Sequence, residues 1–344
     1  MTKIISIFNN KGGVGKTTIL WNLADAIARK EKRVLMVDFD PQCNLSLAVL
    51  GTDTFTKTLP TQNVPYGTTI RAYLQRFLQN TGGFEFFSHK GPHTHSNAEI
   101  IAGDFWLNVY SESLSVGSDL LTGTGVAKYV VLRDLIDFAN KRNGVEDSYD
   151  YALIDLPPSF GALVRAALYS SDYFIVPCTS DTFSAYCVGL IGEMLPGFFQ
   201  DWGSGFKRFK SSNPYLTQYD QLGSPKFAGW IFNGFDTRNN QLVKADQIHH
   251  DKISDSIRTD LIPRLNGNLC QGLPNNYQIG EIEDMNVLVQ NSIWQNVPVS
   301  QLEKFRPMKT LQGSGNWAWK QLEQISLLRD HFREIADNII KYCI

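Results

Sequence analysis

Two lysines, Lys11 and Lys16, share one glycine-rich run, NNKGGVGKTT at residues 9–18, directly behind the apolar run KIISIF. Glycine lets successive backbone amides turn inward around phosphate oxygens. The helical stretch TTILWNLADAIARK behind the run adds the positive end of its dipole. This is a P-loop, in which Gly12, Gly13, Val14, Gly15 and Thr18 shape the cradle. Lys16 reaches the β- and γ-phosphates of a nucleotide, and the Thr17 hydroxyl binds Mg²⁺. The general pattern opens with glycine where this chain has Asn10. Two further stretches carry carboxylates that phosphoryl transfer can use: VDFDPQCN, with Asp38 and Asp40, and YALIDLPPS, with Asp155. An acid ending an apolar strand can hold Mg²⁺ through water, and Pro157 and Pro158 stiffen the turn that follows.

One lysine is enough for a P-loop within a subunit, so Lys11 needs another account. The run KGGVGKTT resembles the signature of the deviant P-loop ATPases of the ParA/MinD type. The resemblance extends from residue 2 to about residue 305 and is densest in the first 45 residues. It implies that Lys11 reaches across a nucleotide-sandwich homodimer to the partner's phosphates. It implies that Asp40 orients the attacking water, that Asp38 sits near Mg²⁺ and the phosphates, and that ATP and Mg²⁺ are the cofactors. Asn233, in GWIFNGFDTRNN, and Pro263, in LIPRL, match positions that meet the adenine. Cys43 stands where the family often has glycine. The function implied is an ATP-dependent switch whose dimer binds non-specific DNA and is discharged by a ParB-like or other stimulating partner, in DNA partition or cargo positioning. A MinD-like membrane role, a ligase of the same superfamily and recruitment to another task such as phage defence stay open. Phosphate contacts to DNA are expected from Lys207, Arg208 and Lys210 in FKRFK, or from Lys304, Arg306 and Lys309 in EKFRPMK.

Composition bounds these readings. The chain has 344 residues and a formal net charge of −2, so a DNA contact must come from a local patch or from dimerisation. Its five cysteines form no C-x-x-C pair, which argues against a disulfide framework, a zinc site or an iron–sulfur cluster. No apolar run is long enough for a bilayer and the first strand starts at once, so a cytoplasmic location without stable membrane insertion is expected.

The elements that position the chemistry alternate. Strands are expected at RVLMVDF, YALID, YFIVPC and KFAGWIFN, with FWLNVYSES also strand-like; helices at TIRAYLQRFLQ, VLRDLIDFANKR, ALVRAALYSS, SAYCVGLIGEMLPGFF and NNQLVKADQIHHDKISDSI. FKRFKSSNP reads as a loop, LIPRL as a strand end, and His89, His93 and His95 as a solvated loop. The fold class is α/β: one P-loop ATPase domain over residues 1–344, with a mostly parallel sheet and helices on both faces. Divergent segments lie at about 52–100 and 201–225. A helix at about 316–341 docks on the domain through Leu322, Ile325, Leu328, Phe332, Ile335 and Ile339. Since Lys16 supplies the phosphate contact within its own subunit, Lys16→Ala is expected to lose ATP binding in a fluorescent-nucleotide titration.

Overall fold

The structure, a computed structural model, describes residues 1–79, 85–116, 119–238, 241–310 and 313–344. Its centre is a parallel sheet of seven strands: β1 (Lys3–Ile7), β2 (Val34–Asp38), β3 (Ala98–Ile101), β4 (Tyr151–Asp155), β5 (Tyr173–Thr179), β6 (Lys226–Phe235) and β7 (Gln278–Glu283). The spatial order is β3-β2-β4-β1-β5-β6-β7. β1 therefore pairs with β4 on one side and β5 on the other, through Lys3↔Tyr151 and Ile5↔Tyr173. Asp38 and Asp155 are register partners at the ends of β2 and β4.

Alternate residues of each strand feed two cores, as a sheet covered on both faces requires. Ile4, Leu35, Val37, Ile154 and Phe174 face one core, completed by α3 (Val131–Asn143), α4 (Ala162–Ser170) and α5 (Ser184–Ser212). Ile5, Ile7, Met36, Leu153 and Ile175 face the other, completed by α1 (Lys16–Ala28), α2 (Asn44–Leu50), α7 (Val287–Gln295) and α8 (Trp319–Tyr342). The remaining long helix, α6 (Lys244–Ser256), packs against α5. The expected C-terminal helix is α8, and it buries Ile325, Leu328, Phe332, Ile335 and Ile339. Leu322 was expected on that face but is 39% exposed. Gly280 of β7 admits α8 closely, because a Cβ there would stand 2.2 Å from Ile335 Cγ1.

Several expectations are corrected. FWLNVYSES contributes to a helix, Leu107–Val116, instead of a strand. The Asp104 carboxylate accepts the Trp106 amide at 2.8 Å just before this helix, and Leu107, Tyr110 and Leu114 fall on one buried face. The strand beside β2 is instead the short AEII of β3. FKRFK is the final part of α5, where Trp202, Phe206 and Phe209 stack in sequence along the helix. LIPRL is no strand end: Ile262–Leu265 is a single 3-10 turn. His89 bridges to Ile100, and His93 packs edge-on against Phe305. No helix among the described residues is long and apolar enough to cross a membrane. Phe332 of α8 is fully buried, so Phe332→Ala is expected to cost about 3–5 kcal/mol, read from the shift in urea unfolding.

Candidate nucleotide-binding site

The chemistry-bearing residues gather at the carboxyl ends of β1, β2 and β4, where open α/β sheets take ligands. β1 ends one residue before Phe8, and the loop that follows is held by Asn9, a residue without a role in the sequence reading. Asn9 is fully buried; its Nδ2 donates to Pro177 O at 2.7 Å and its Oδ1 accepts the Lys11 amide at 2.9 Å. An amide placed straight after an apolar strand was the signal for it. Gly15, at φ 81°, turns the chain into α1, and a Cβ there would stand 2.6 Å from Asn233 Nδ2.

The two lysines part company. Lys16 Nζ donates to Asn9 O and Lys11 O, at 2.9 Å each, inside the loop. Lys11 Nζ leaves the loop and bonds to Thr179 at 2.8 Å, to Ser184 at 3.3 Å and to the Asp181 carboxylate. It thus lies at the end of β5 and the start of α5. A cleft of about 570 Å³ opens over the P-loop, lined by residues 12–18 with Trp21, Asp40, Gln42, Leu156 and Pro158. Its outer wall is Val289, Ser292 and Ile293 of α7. Thr17 Oγ1 donates to Asp155 Oδ2 at 2.7 Å, while Asp155 Oδ1 is buried with no hydrogen-bond partner. A fully buried carboxylate oxygen left over beside a threonine hydroxyl is a fit for a hydrated divalent cation. The cleft volume, the amide cradle and Lys16 fit a nucleoside triphosphate.

A model of the AAA domain family matches residues 2–196, more than half of the chain. The chain belongs to this family, as a P-loop ATPase of the ParA/MinD type. The sporulation initiation inhibitor protein Soj of Bacillus subtilis is 30% identical over 177 residues, covering 52% of this chain and 58% of Soj. The chromosome partitioning protein ParA of Caulobacter vibrioides is 28% identical over 223 residues, 64% of this chain and 72% of that protein. The chain spans less than two thirds of the length of uncharacterized relatives from Methanocaldococcus jannaschii and Pseudomonas putida, 63% and 56%. Among solved structures, protein DIP2308 of Corynebacterium diphtheriae superposes with a TM-score of 0.66 at 23% identity over 86% of this chain and 97% of that one. The Cyanothece McdA(D38A)–ATP complex gives 0.61 at 15% identity over 98% and 96%; both share the fold.

In this ParA/MinD-type ATPase the residues expected around the adenine are placed differently from the P-loop set. Asn233 lies under the loop, its Nδ2 donating to Val14 O at 3.0 Å, and it is absent from the cleft lining. Pro263 belongs to the 3-10 turn packed on α5, and it too is absent from the lining. The α7 wall stands at the cleft instead. Asp38 is fully buried and its carboxylate faces Ser46, which gives it two bonds, at 2.8 Å and 2.6 Å. Asp40 lines the cleft and accepts the Gln42 amide at 2.9 Å. Of the basic candidates, Lys207 and Arg208 are exposed, whereas Lys210 is tied to Asp220 at 2.9 Å. Lys304 and Arg306 are exposed, and the Lys309 side chain lies outside the described residues. The two clusters sit on opposite faces, since α5 belongs to one core and Leu302 to the other. Lys304 also lines a 230 Å³ cavity with Arg29, Lys30, Arg329 and Arg333, alongside Asp25 and Glu303.

Burial sets the electrostatics. It lowers the Lys16 ammonium to about 8, against the pull of Asp155 and Asp40. It raises Asp38, Asp40 and Asp155; the Asp40 charge raises Asp38 further, and Asp38 raises Asp155 further. For carboxyls raised by the fold, the stabilising contribution is complete below the ordinary carboxylate range and is lost as pH rises. Nucleotide-free stability is therefore expected to fall between about pH 5 and 7.5, above the carboxylate range and below the Lys16 window. Asp155→Asn removes one of these groups, so its melting temperature should fall less over that interval and exceed wild type at the upper end.

Proposed function

We propose that the protein is an ATP-driven dimerising switch whose closed form binds non-specific DNA, acting in DNA segregation or in positioning a cargo. The observation that carries this reading is the separation of the two loop lysines. Lys16 fills the cradle of its own subunit. Lys11 is held outside the cleft by a partly exposed partner, Asp181, whose side chain is 37% exposed. Ion pairs of that exposure are worth about 0–1 kcal/mol, so Lys11 can exchange Asp181 for a phosphate at small cost. A phosphate on a second subunit is the partner that the sequence resemblance implies. Within one subunit, Lys16 and the loop amides bind phosphate, Thr17 and Asp155 would hold Mg²⁺, and Asp40 orients a water for attack. Mg²⁺ would neutralise charge on the phosphates during transfer.

DNA is the surface favoured here over lipid, because the apolar stripe of α8 is already buried against the sheet. Lys304 shares a cavity with Arg29, Lys30, Arg329 and Arg333, which adds cations to that face although each of those four is paired with an acid. The relatives support the setting: one is named a chromosome partitioning protein, and one structural neighbour is an ATP complex.

Light scattering with ATP and with ADP tests the switch. Wild type should dimerise with ATP alone, and Lys11→Ala should bind ATP yet stay monomeric; a Lys11→Ala dimer equal to wild type would refute the shared-nucleotide role. Asp40→Ala should dimerise with ATP and lose hydrolysis. DNA binding should require ATP, weaken steeply with salt, and drop on charge removal at Lys304 and Arg306 more than at Lys207 and Arg208.

A further inference from the structure

The loop that carries Asp40 is tied at both ends by a residue outside the P-loop chemistry. Ser46, in α2, is fully buried. Its amide and its hydroxyl both reach Asp38 Oδ2, at 2.8 Å and 2.6 Å. The Gly103 amide, just past β3, donates to Ser46 Oγ at 2.8 Å. That bond occupies a lone pair on the hydroxyl and leaves its proton for Asp38, so the direction of the relay is fixed. Gly103 is needed for the approach, because a Cβ there would stand 2.9 Å from Asp38 Cγ. The other oxygen of Asp38 accepts the Asp40 amide at 3.3 Å. One carboxylate thus joins the end of β2, the start of α2 and the backbone of Asp40.

We propose that Ser46 is a positioning residue for hydrolysis: through Asp38 it fixes the loop that sets where the Asp40 carboxylate stands. The segment from Asp38 to Ser46 is a closed loop whose contents, Asp40 and Gln42, line the cleft. Asp40 is itself braced by the Gln42 amide. The freedom left to the loop is therefore the tie at its base. Releasing that tie lets Asp40 drift by a fraction of an ångström to an ångström, and displacements of that size cost about a hundredfold in rate. The cradle for phosphate, built from residues 12–17, makes no bond to Ser46 and keeps its affinity.

The proposal rests on hydrolysis being the reaction, and the experiment separates the two. Ser46→Ala should bind ATP within about threefold of wild type and lose at least about tenfold in single-turnover hydrolysis. Ser46→Thr, which keeps the hydroxyl, should recover most of it. Hydrogen exchange of the nucleotide-free protein gives a readout apart from activity: residues 39–47 should exchange faster in Ser46→Ala and as wild type in Ser46→Thr. If Ser46→Ala does not fold, Ser46→Cys takes its place, because the thiol fills the site and donates weakly. Wild-type turnover or wild-type exchange in the folded variant overturns the proposal. A wild-type protein that hydrolyses no ATP overturns the functional reading as well.

Discussion

Crowding of like charge at the strand ends is the constraint on which the site depends. Asp38, Asp40 and Asp155 converge where β2 and β4 finish, two of them fully buried and adjacent in register. Lys16 lies close enough to act on Asp155 and Asp40 and is itself largely out of water. A fold that buries such groups together without a cation holds an unfavourable arrangement, since desolvation and mutual repulsion act the same way on the acids. On the proposed reading, a divalent cation and phosphate oxygens entering together would relieve it.

That constraint also orders the surrounding structure. Asn9 ties the P-loop to β5, Asn233 supports it from β6, and Thr17 bonds to β4. Three strands therefore hold the loop by side-chain bonds, besides its sequence continuity from β1. Asp38 does the same on the other flank through Ser46 and Gly103.

The sequence made the P-loop and the three acids legible because their chemistry is local: residue types at fixed spacing beside an apolar strand. Less local features were hidden. β7 reads QIGEIE, an edge strand with glycine and two glutamates, too polar to stand out. FWLNVYSES carries aromatic residues of high strand propensity, yet the turn at Asp104 and the burial of Leu107, Tyr110 and Leu114 make it a helix. FKRFK reads as a basic loop until its aromatic neighbours are seen stacking along α5. The partners of Lys11, at Thr179, Asp181 and Ser184, are some 170 residues away, and no spacing in the chain announces them. The cleft wall supplied by α7 is equally remote from residues 12–18.

The strand order has a consequence for how the molecule comes into being. β1 is made first but pairs only with strands that begin at Tyr151 and Tyr173. Its P-loop further leans on Asn233, and α1 packs against α8, which starts at Trp319. At about 5–20 residues per second, the earliest segment emerges from the ribosome many seconds before its neighbours exist. During that interval an apolar strand with two open edges is exposed to other chains and to chaperones. Parallel pairing over such separations is slow even afterwards. The nucleotide site, although its loop precedes in the chain every strand it leans on, is among the last parts of the protein to take shape.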